Sequence, residues 1–253
     1  MPQLKALIFD VDGTLSDTER DGHRIAFNRA FADAELDWRW DVETYGALLK
    51  VTGGKERIRY FIESFQPAFE VPVDVDSFIK ELHQSKTSHY LALLESGAIP
   101  LRPGVERLLK EARSARLRLG IATTTTPENV TTLLCATLGA ESIGWFDVIA
   151  AGDVVANKKP APDIFQYALN AMDLSAKECM AFEDSENGLL SSLHAGLKTI
   201  VTVNGYTRND NFDQAAIVLD QLGEPDVAFS VIDGDPWGAS LVDVPLIRRL
   251  FVT

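Results

Sequence analysis

The chain has 253 residues, enough for one large domain or two modest ones. It is 46% hydrophobic and 24% charged, the balance of an ordinary folded protein, and its net charge of −13 argues against a general nucleic-acid or membrane-surface binder. No apolar run approaches the ~20 residues of a membrane span. Cys135 and Cys179 stand far apart with no metal-type spacing, so both are expected as reduced core residues. The first strand begins almost at once, so no signal or transit peptide is expected. The expected compartment is the cytoplasm, or a plastid stroma for a processed chain.

The run from Ala6 to Phe9 reads as a short buried strand. Helical spacing follows: Ile25, Phe27, Ala30, Phe31 and Ala34 mark one helix, and Asp41 is placed to cap a second carrying Tyr45, Leu48 and Leu49. After the Gly53-Gly54 break a third helix carries Ile58, Phe61, Ile62 and Phe65. Pro67 and Pro72 bracket a loop, and a fourth helix carries Phe78, Ile79, Leu82, His89, Tyr90, Leu93 and Leu94. Between Ser16 and Gly97 no strand is expected. From Pro103, expected in a first helical turn, helices and strands alternate. Strands are predicted over Arg118–Thr123, Val148–Ala151, Cys179–Phe182 and Thr199–Val203. Helices are predicted over Asp163–Met172 and Leu189–Ala195, with one marked by Val105, Leu108, Leu109 and Ala112 and another by Val130, Leu133, Leu134 and Leu138. Ile217–Leu219 reads as an edge strand, Asp233–Trp237 as a loop, and Val244–Phe251 as a closing segment. This alternation predicts an α/β fold, a parallel sheet covered on both faces. Residues 1–16 and 98–253 would form that core, with residues 17–97 an all-helical insertion placed to act as a lid.

Four strand ends carry polar groups. Asp10 and Asp12 follow the first strand, in Asp10-Val11-Asp12-Gly13-Thr14, where open α/β sheets place ligands. In a regular strand the two would share a face, and two close acids repel unless a cation lies between them. Thr123, Thr124 and Thr125 follow the second strand, where hydroxyls and a helix start can hold a phosphate. Lys158 and Lys159 follow the third, and Glu183 and Asp184 the fourth. A lysine beside acids can neutralise both a phosphate and a nucleophile. Oxygen ligands alone suit Mg²⁺ rather than Zn²⁺. Taken singly, the Asp-Gly segment could be a surface turn and Glu183-Asp184 a solvated cap. In this order and spacing, chance agreement is small.

The four segments together resemble the haloacid dehalogenase superfamily of phosphohydrolases. The resemblance implies a Rossmann-like core with a helical cap and an aspartyl-phosphate mechanism. Asp10 would be the nucleophile, and Asp12 would protonate the leaving oxygen and then activate water. Mg²⁺ would be held by Asp10, the Asp12 carbonyl and Asp184, with Glu183 a ligand or an outer partner. Thr123 and Lys159 would hold the phosphoryl oxygens, Lys159 being chosen over Lys158 because it directly precedes Pro160.

In the insertion, Gly53-Gly54-Lys55-Glu56-Arg57 reads either as a second-phosphate site or as a helix start with solvated charges. Asp17-Thr18-Glu19, Gly22-His23-Arg24, Phe27-Asn28, the Gly53–Arg57 loop, Ile121–Thr125, Lys158–Asp163 and the ending Arg249-Leu250-Phe251-Val252 are similar to the CbbY-like group. That group contains xylulose-1,5-bisphosphate phosphatases associated with carbon fixation. The resemblance implies that Glu19 and the Gly53–Arg57 loop contact a sugar bisphosphate, and that the 1-phosphate is removed. The expected partner is this small molecule alone, with no nucleic acid or membrane, acting on a monomer. His23 is expected as a polar lid or hinge residue. His83, His89 and His194 are expected to be structural, and Trp38 and Trp40 to be cap core. The rival readings are a β-phosphoglucomutase-type phosphoryl transfer, a phosphatase of another sugar phosphate, and a non-catalytic binding protein on the same scaffold. No Gly-x-Gly-x-x-Gly follows the first strand, so a dinucleotide site is not expected.

Overall fold

The computed structural model describes residues 3–66, 69–70 and 73–253. Of the loop expected between Pro67 and Pro72, Phe69 and Glu70 are described, while Pro67, Ala68, Val71 and Pro72 lie outside the described residues. The chain forms two compact units, one comprising the residues up to Asp17 with Pro100–Thr253, the other Thr18–Ile99.

The first unit holds a seven-stranded sheet. Its strands are β1 (Ala6–Phe9), β2 (Arg118–Ala122), β3 (Val148–Ala150), β4 (Cys179–Glu183), β5 (Lys198–Thr202), β6 (Ile217–Leu219) and β7 (Val231–Asp233), in the order β3-β2-β1-β4-β5-β6-β7. All neighbours are parallel except β6 and β7. The chain runs outward from β1 through β2 and β3, then returns to β4 on the other side of β1. The carboxyl ends of β1 and β4 therefore flank the switch point, where such sheets bind ligands. Every residue of β1 is buried, as a central parallel strand requires. Side chains alternate across it. Ile8 packs among Ala122, Phe165, Met172 and Ala181 on one face, while Phe9 stacks on Phe182 at 4.4 Å.

The sequence placed most elements to within a few residues, and the exceptions have local causes. β1 ends at Phe9, so strand alternation does not govern Asp10 and Asp12. Helix α8 (Glu186–His194) starts three residues earlier than its apolar pattern because the Ser185 hydroxyl accepts from Gly188 N. Pro103 precedes α5 (Val105–Ser114) rather than opening it, since Gly104 takes a left-handed cap conformation. β6 is interior, and the edge is the exposed β7, whose last residue, Asp233, is the first of the expected loop Asp233–Trp237. Cys135 is exposed, unlike the buried Cys179.

The C-terminal segment is tied on by guanidinium groups. Arg102, buried, donates to the carbonyls of Gly13, Thr202, Val203 and Asp220. Arg107 donates to the carbonyls of Leu222, Gly223 and Val242. Helix α9 (Val244–Val252) is capped by Asp243, which accepts from Leu246 N.

The second unit contains α1 (Arg24–Asp33), preceded by a wide turn over Glu19–His23, then α2 (Val42–Leu48), α3 (Gly54–Phe65) and α4 (Val75–Glu95). No strand occurs among its described residues. Asp41 caps α2 by accepting from Thr44 N at 2.7 Å. Its core is aromatic: Trp40 lies 4.5 Å from Phe27, 4.9 Å from Phe31 and 5.3 Å from Phe61, ring to ring. Trp38 and Trp40 are thus core residues of this unit, as expected. Among the described residues, no helix is long and apolar enough to cross a membrane.

Arg102→Met would leave carbonyls of Gly13, Thr202, Val203 and Asp220 without their buried donor. We expect a loss of at least about 3 kcal/mol by urea denaturation, against less than about 0.5 kcal/mol for exposed Arg248→Met. Equal effects would remove Arg102 as the tie.

Candidate active site

Four strand ends converge at the carboxyl edge of the sheet. Asp10 follows β1, Glu183 ends β4 and Asp184 follows it; all three are buried, and one oxygen of each lies within 4.8 Å of one from the others. Lys159 comes in from the loop after β3. Its ammonium donates to Asp10 Oδ1 at 2.6 Å, Glu183 Oε1 at 2.6 Å and the Ala122 carbonyl at 3.0 Å. These three bonds use all its protons. Lys158, by contrast, reaches Asp153 at 3.1 Å and is half-buried.

The electrostatics follow from burial. Desolvation pushes the Asp10 carboxyl up to about 8, against the pull of Lys159 and with the charges of Glu183 and Asp12 adding. Asp184 is raised by burial and by Asp10 and Glu183, with Arg102 and Lys159 opposing. Glu183 is raised by burial, against Lys159 and the Asp184 amide. Burial alone would lower Lys159, but its two carboxylates more than reverse this and shift it upward. Three buried carboxylates thus face one ammonium. A hard divalent cation is the group that oxygen donors with excess negative charge accommodate.

Thr123 is buried at the end of β2, and its hydroxyl accepts from Thr125 N at 3.3 Å. Its own proton remains available to a phosphoryl oxygen. Thr125 is held by Asn129, whose amide donates to its hydroxyl at 2.9 Å, while Thr124 is half-buried. The Asp12 carboxylate is outside the three-acid cluster, and its residue forms an isolated bridge with Ser16.

Within the helical unit, Glu19, Tyr45 and Arg57 form one group. The Tyr45 hydroxyl donates to Glu19 Oε2 and accepts from Arg57 at 2.7 Å, and Arg57 lies 3.6 Å from Glu19. Arg57 is buried, Lys55 half-buried and Glu56 exposed. Gly53 caps α3 at φ +101°, a conformation costly for other residues. A Cβ at Gly54 would overlap His83. His23 is buried, stacks on Tyr90 at 3.9 Å and shares a 2.7 Å hydrogen bond with Lys86. His89 pairs with Asp33 at 2.5 Å, and His194 Nδ1 lies 3.2 Å from the Pro160 carbonyl.

The family model for haloacid dehalogenase-like hydrolases matches residues 4–196. The plasmid CbbY protein of Cupriavidus necator is 47% identical over 222 residues, covering 88% of this chain and 87% of that one. CbbY from Rhodobacter sphaeroides has been solved with phosphate and, in a substituted form, with xylulose-(1,5)bisphosphate. At 44% identity it superposes with a TM-score of 0.80 over 87% of this chain and 95% of its own. A β-phosphoglucomutase from Clostridium difficile, 19% identical over 99% of this chain and 98% of its own with a TM-score of 0.73, shares the fold alone. The chain belongs to the haloacid dehalogenase-like hydrolases and, within them, to the CbbY-like group of phosphatases.

Sequence reasoning missed Tyr45, Arg102, Asn129 and Asn204. Asn204 was findable, because it lies two residues beyond the end of β5, at the same edge of the sheet, and its side-chain amide donates to Asp184 at 2.6 Å. Tyr45 looks like core from its spacing, and only its hydroxyl partners single it out.

Lys159→Met would strand the buried carboxylates. We expect about 3–5 kcal/mol of destabilisation at pH 8 in chelator, shrinking at pH 5, below the value of about 8 to which the Asp10 carboxyl is raised. Denaturant melts at both pH values check this; a loss independent of pH would contradict it.

Proposed function

We propose that this phosphatase acts on xylulose 1,5-bisphosphate, removing the 1-phosphate through an aspartyl-phosphate on Asp10 to leave xylulose 5-phosphate. The observation that carries the reading is the buried Lys159 ammonium between Asp10 and Glu183, in a chain 44% identical to a protein solved with that bisphosphate.

Asp10 attacks phosphorus, forming an O–P bond as the bond to the sugar oxygen breaks. Asp12 gives its proton to that oxygen. Water then attacks phosphorus, Asp12 takes its proton, and the Asp10–phosphorus bond breaks to free phosphate. Thr123 and Lys159 hold the phosphoryl oxygens, Lys159 by giving up one of its three present acceptors. Asp10, Asp184 and the Asp12 carbonyl would hold Mg²⁺, with Glu183 a further ligand or the counter-charge to Lys159. A bound Mg²⁺ would supply Lewis-acid charge to the phosphoryl group.

The helical unit is proposed as the lid that reads the rest of the sugar phosphate. Lys55 provides a cation for the second phosphate, and Glu19 a carboxylate for the sugar. Arg57 adds charge while braced by Glu19 and Tyr45, which supports a positioning part as much as direct contact. Gly53, Gly54, Glu56 and His23 are proposed as further substrate-binding residues of the helical unit, and Thr124, Thr125 and Lys158 as those of the sheet unit. The active species is proposed as a monomer in the cytoplasm, or in a plastid stroma for a processed chain, with no nucleic-acid or membrane partner.

The test is phosphate release with Mg²⁺ from xylulose 1,5-bisphosphate beside ribulose 1,5-bisphosphate, fructose 1,6-bisphosphate and glucose 1-phosphate. We expect kcat/KM for the first to exceed the others by about a hundredfold, roughly 2.7 kcal/mol. A flat profile would overturn the substrate. In the same assay Lys55→Ala should raise KM for bisphosphates more than for monophosphates; equal effects would remove the second-phosphate role.

A further inference from the structure

Asp184 is held firmly on one oxygen and only loosely on the other. The Asn204 amide donates to Oδ2 at 2.6 Å and the Thr14 hydroxyl to Oδ1 at 3.5 Å. The orientation of the Asn204 side chain is fixed by its other end, whose Oδ1 accepts from Tyr206 N at 2.8 Å. Only the oxygen can accept there, so only the nitrogen can face Asp184. The Asn204 backbone N–H in turn donates to Thr207 Oγ1 at 3.0 Å, closing the turn after β5.

Two further features clamp this pairing. Gly13 has φ +91°, and a Cβ there would overlap both the Asp184 carboxylate and the Asn204 amide nitrogen. The missing side chain is what lets them meet. Arg102 donates to the carbonyls of Gly13, Thr202 and Val203, so one guanidinium fixes the segment before Thr14 and the segment before Asn204.

We propose that Asn204 is a positioning residue that keeps Asp184 a one-oxygen cation ligand and so favours Mg²⁺ over Ca²⁺. Ca²⁺ accepts six to eight oxygens and readily takes both from one carboxylate, whereas Mg²⁺ requires near-octahedral, shorter contacts. With Oδ2 engaged by the amide, two-oxygen chelation would break a short hydrogen bond. Outer partners of this kind tune affinity by about ten- to a hundredfold. The inference rests on the cation site proposed above.

The test is calorimetric titration of MgCl₂ and of CaCl₂ into the metal-free full chain, Asn204→Ala and Asn204→Asp. The aspartate keeps the acceptor for Tyr206 N and loses the donor to Asp184. Metal-free melts of each variant establish that it is folded. We expect the ratio of the Ca²⁺ Kd to the Mg²⁺ Kd to fall about tenfold or more in both variants. A merely structural role would weaken both cations together and leave the ratio in place. A ratio within about twofold of the unsubstituted chain, in either variant, overturns the proposal. Binding of neither cation by the unsubstituted chain overturns the cation site itself.

Discussion

The Lys159 ammonium, buried between Asp10 and Glu183, is the interaction on which the rest of the core unit depends. Three carboxylates brought out of water at adjacent strand ends repel one another and favour protonation. One fixed positive charge offsets part of this, and its third proton goes to the Ala122 carbonyl at the end of β2, so the same group joins three strand ends. The uncompensated remainder is negative charge of the kind a hard divalent cation accommodates. The ordering of β1 between β2 and β4 supplies the geometry, since no local segment could place Asp10, Lys159 and Glu183 together.

The surrounding structure serves that charge cluster. A Cβ at Gly188 would overlap the Glu183 carboxylate, and one at Gly13 the Asp184 carboxylate, so two glycines make room for two acids. Arg102 secures the backbone on both sides of Asp184, and Asn129 holds Thr125 beside Thr123. In the helical unit, the Tyr45 hydroxyl does the equivalent work, spacing Glu19 from Arg57 so that a carboxylate and a guanidinium remain together without a direct short pair.

The pattern of the chain made the core legible wherever burial and local chemistry coincide. β1, β2 and β4 are short apolar runs that lead into polar residues, and that coincidence pointed to Asp10, Thr123, Glu183 and Asp184. The segment from Asn204 onward was harder because it is held by guanidinium-to-carbonyl bonds from Arg102 and Arg107, which leave no periodicity in the residues they hold. β7 is exposed throughout and carries no burial signal. Cys135 sits within an apolar-looking helix but on its exposed side. Tyr45 fitted the apolar stripe of α2, so its polar end was invisible until its partners were placed.

The central claim is that Asp10 becomes covalently phosphorylated. Rapid mixing with xylulose 1,5-bisphosphate, acid quench and borohydride reduction would convert an aspartyl-phosphate to homoserine, located by peptide mass spectrometry. The account predicts homoserine at position 10 and nowhere else. Turnover that proceeds with unmodified Asp10, or with the modification at another carboxylate, would contradict it.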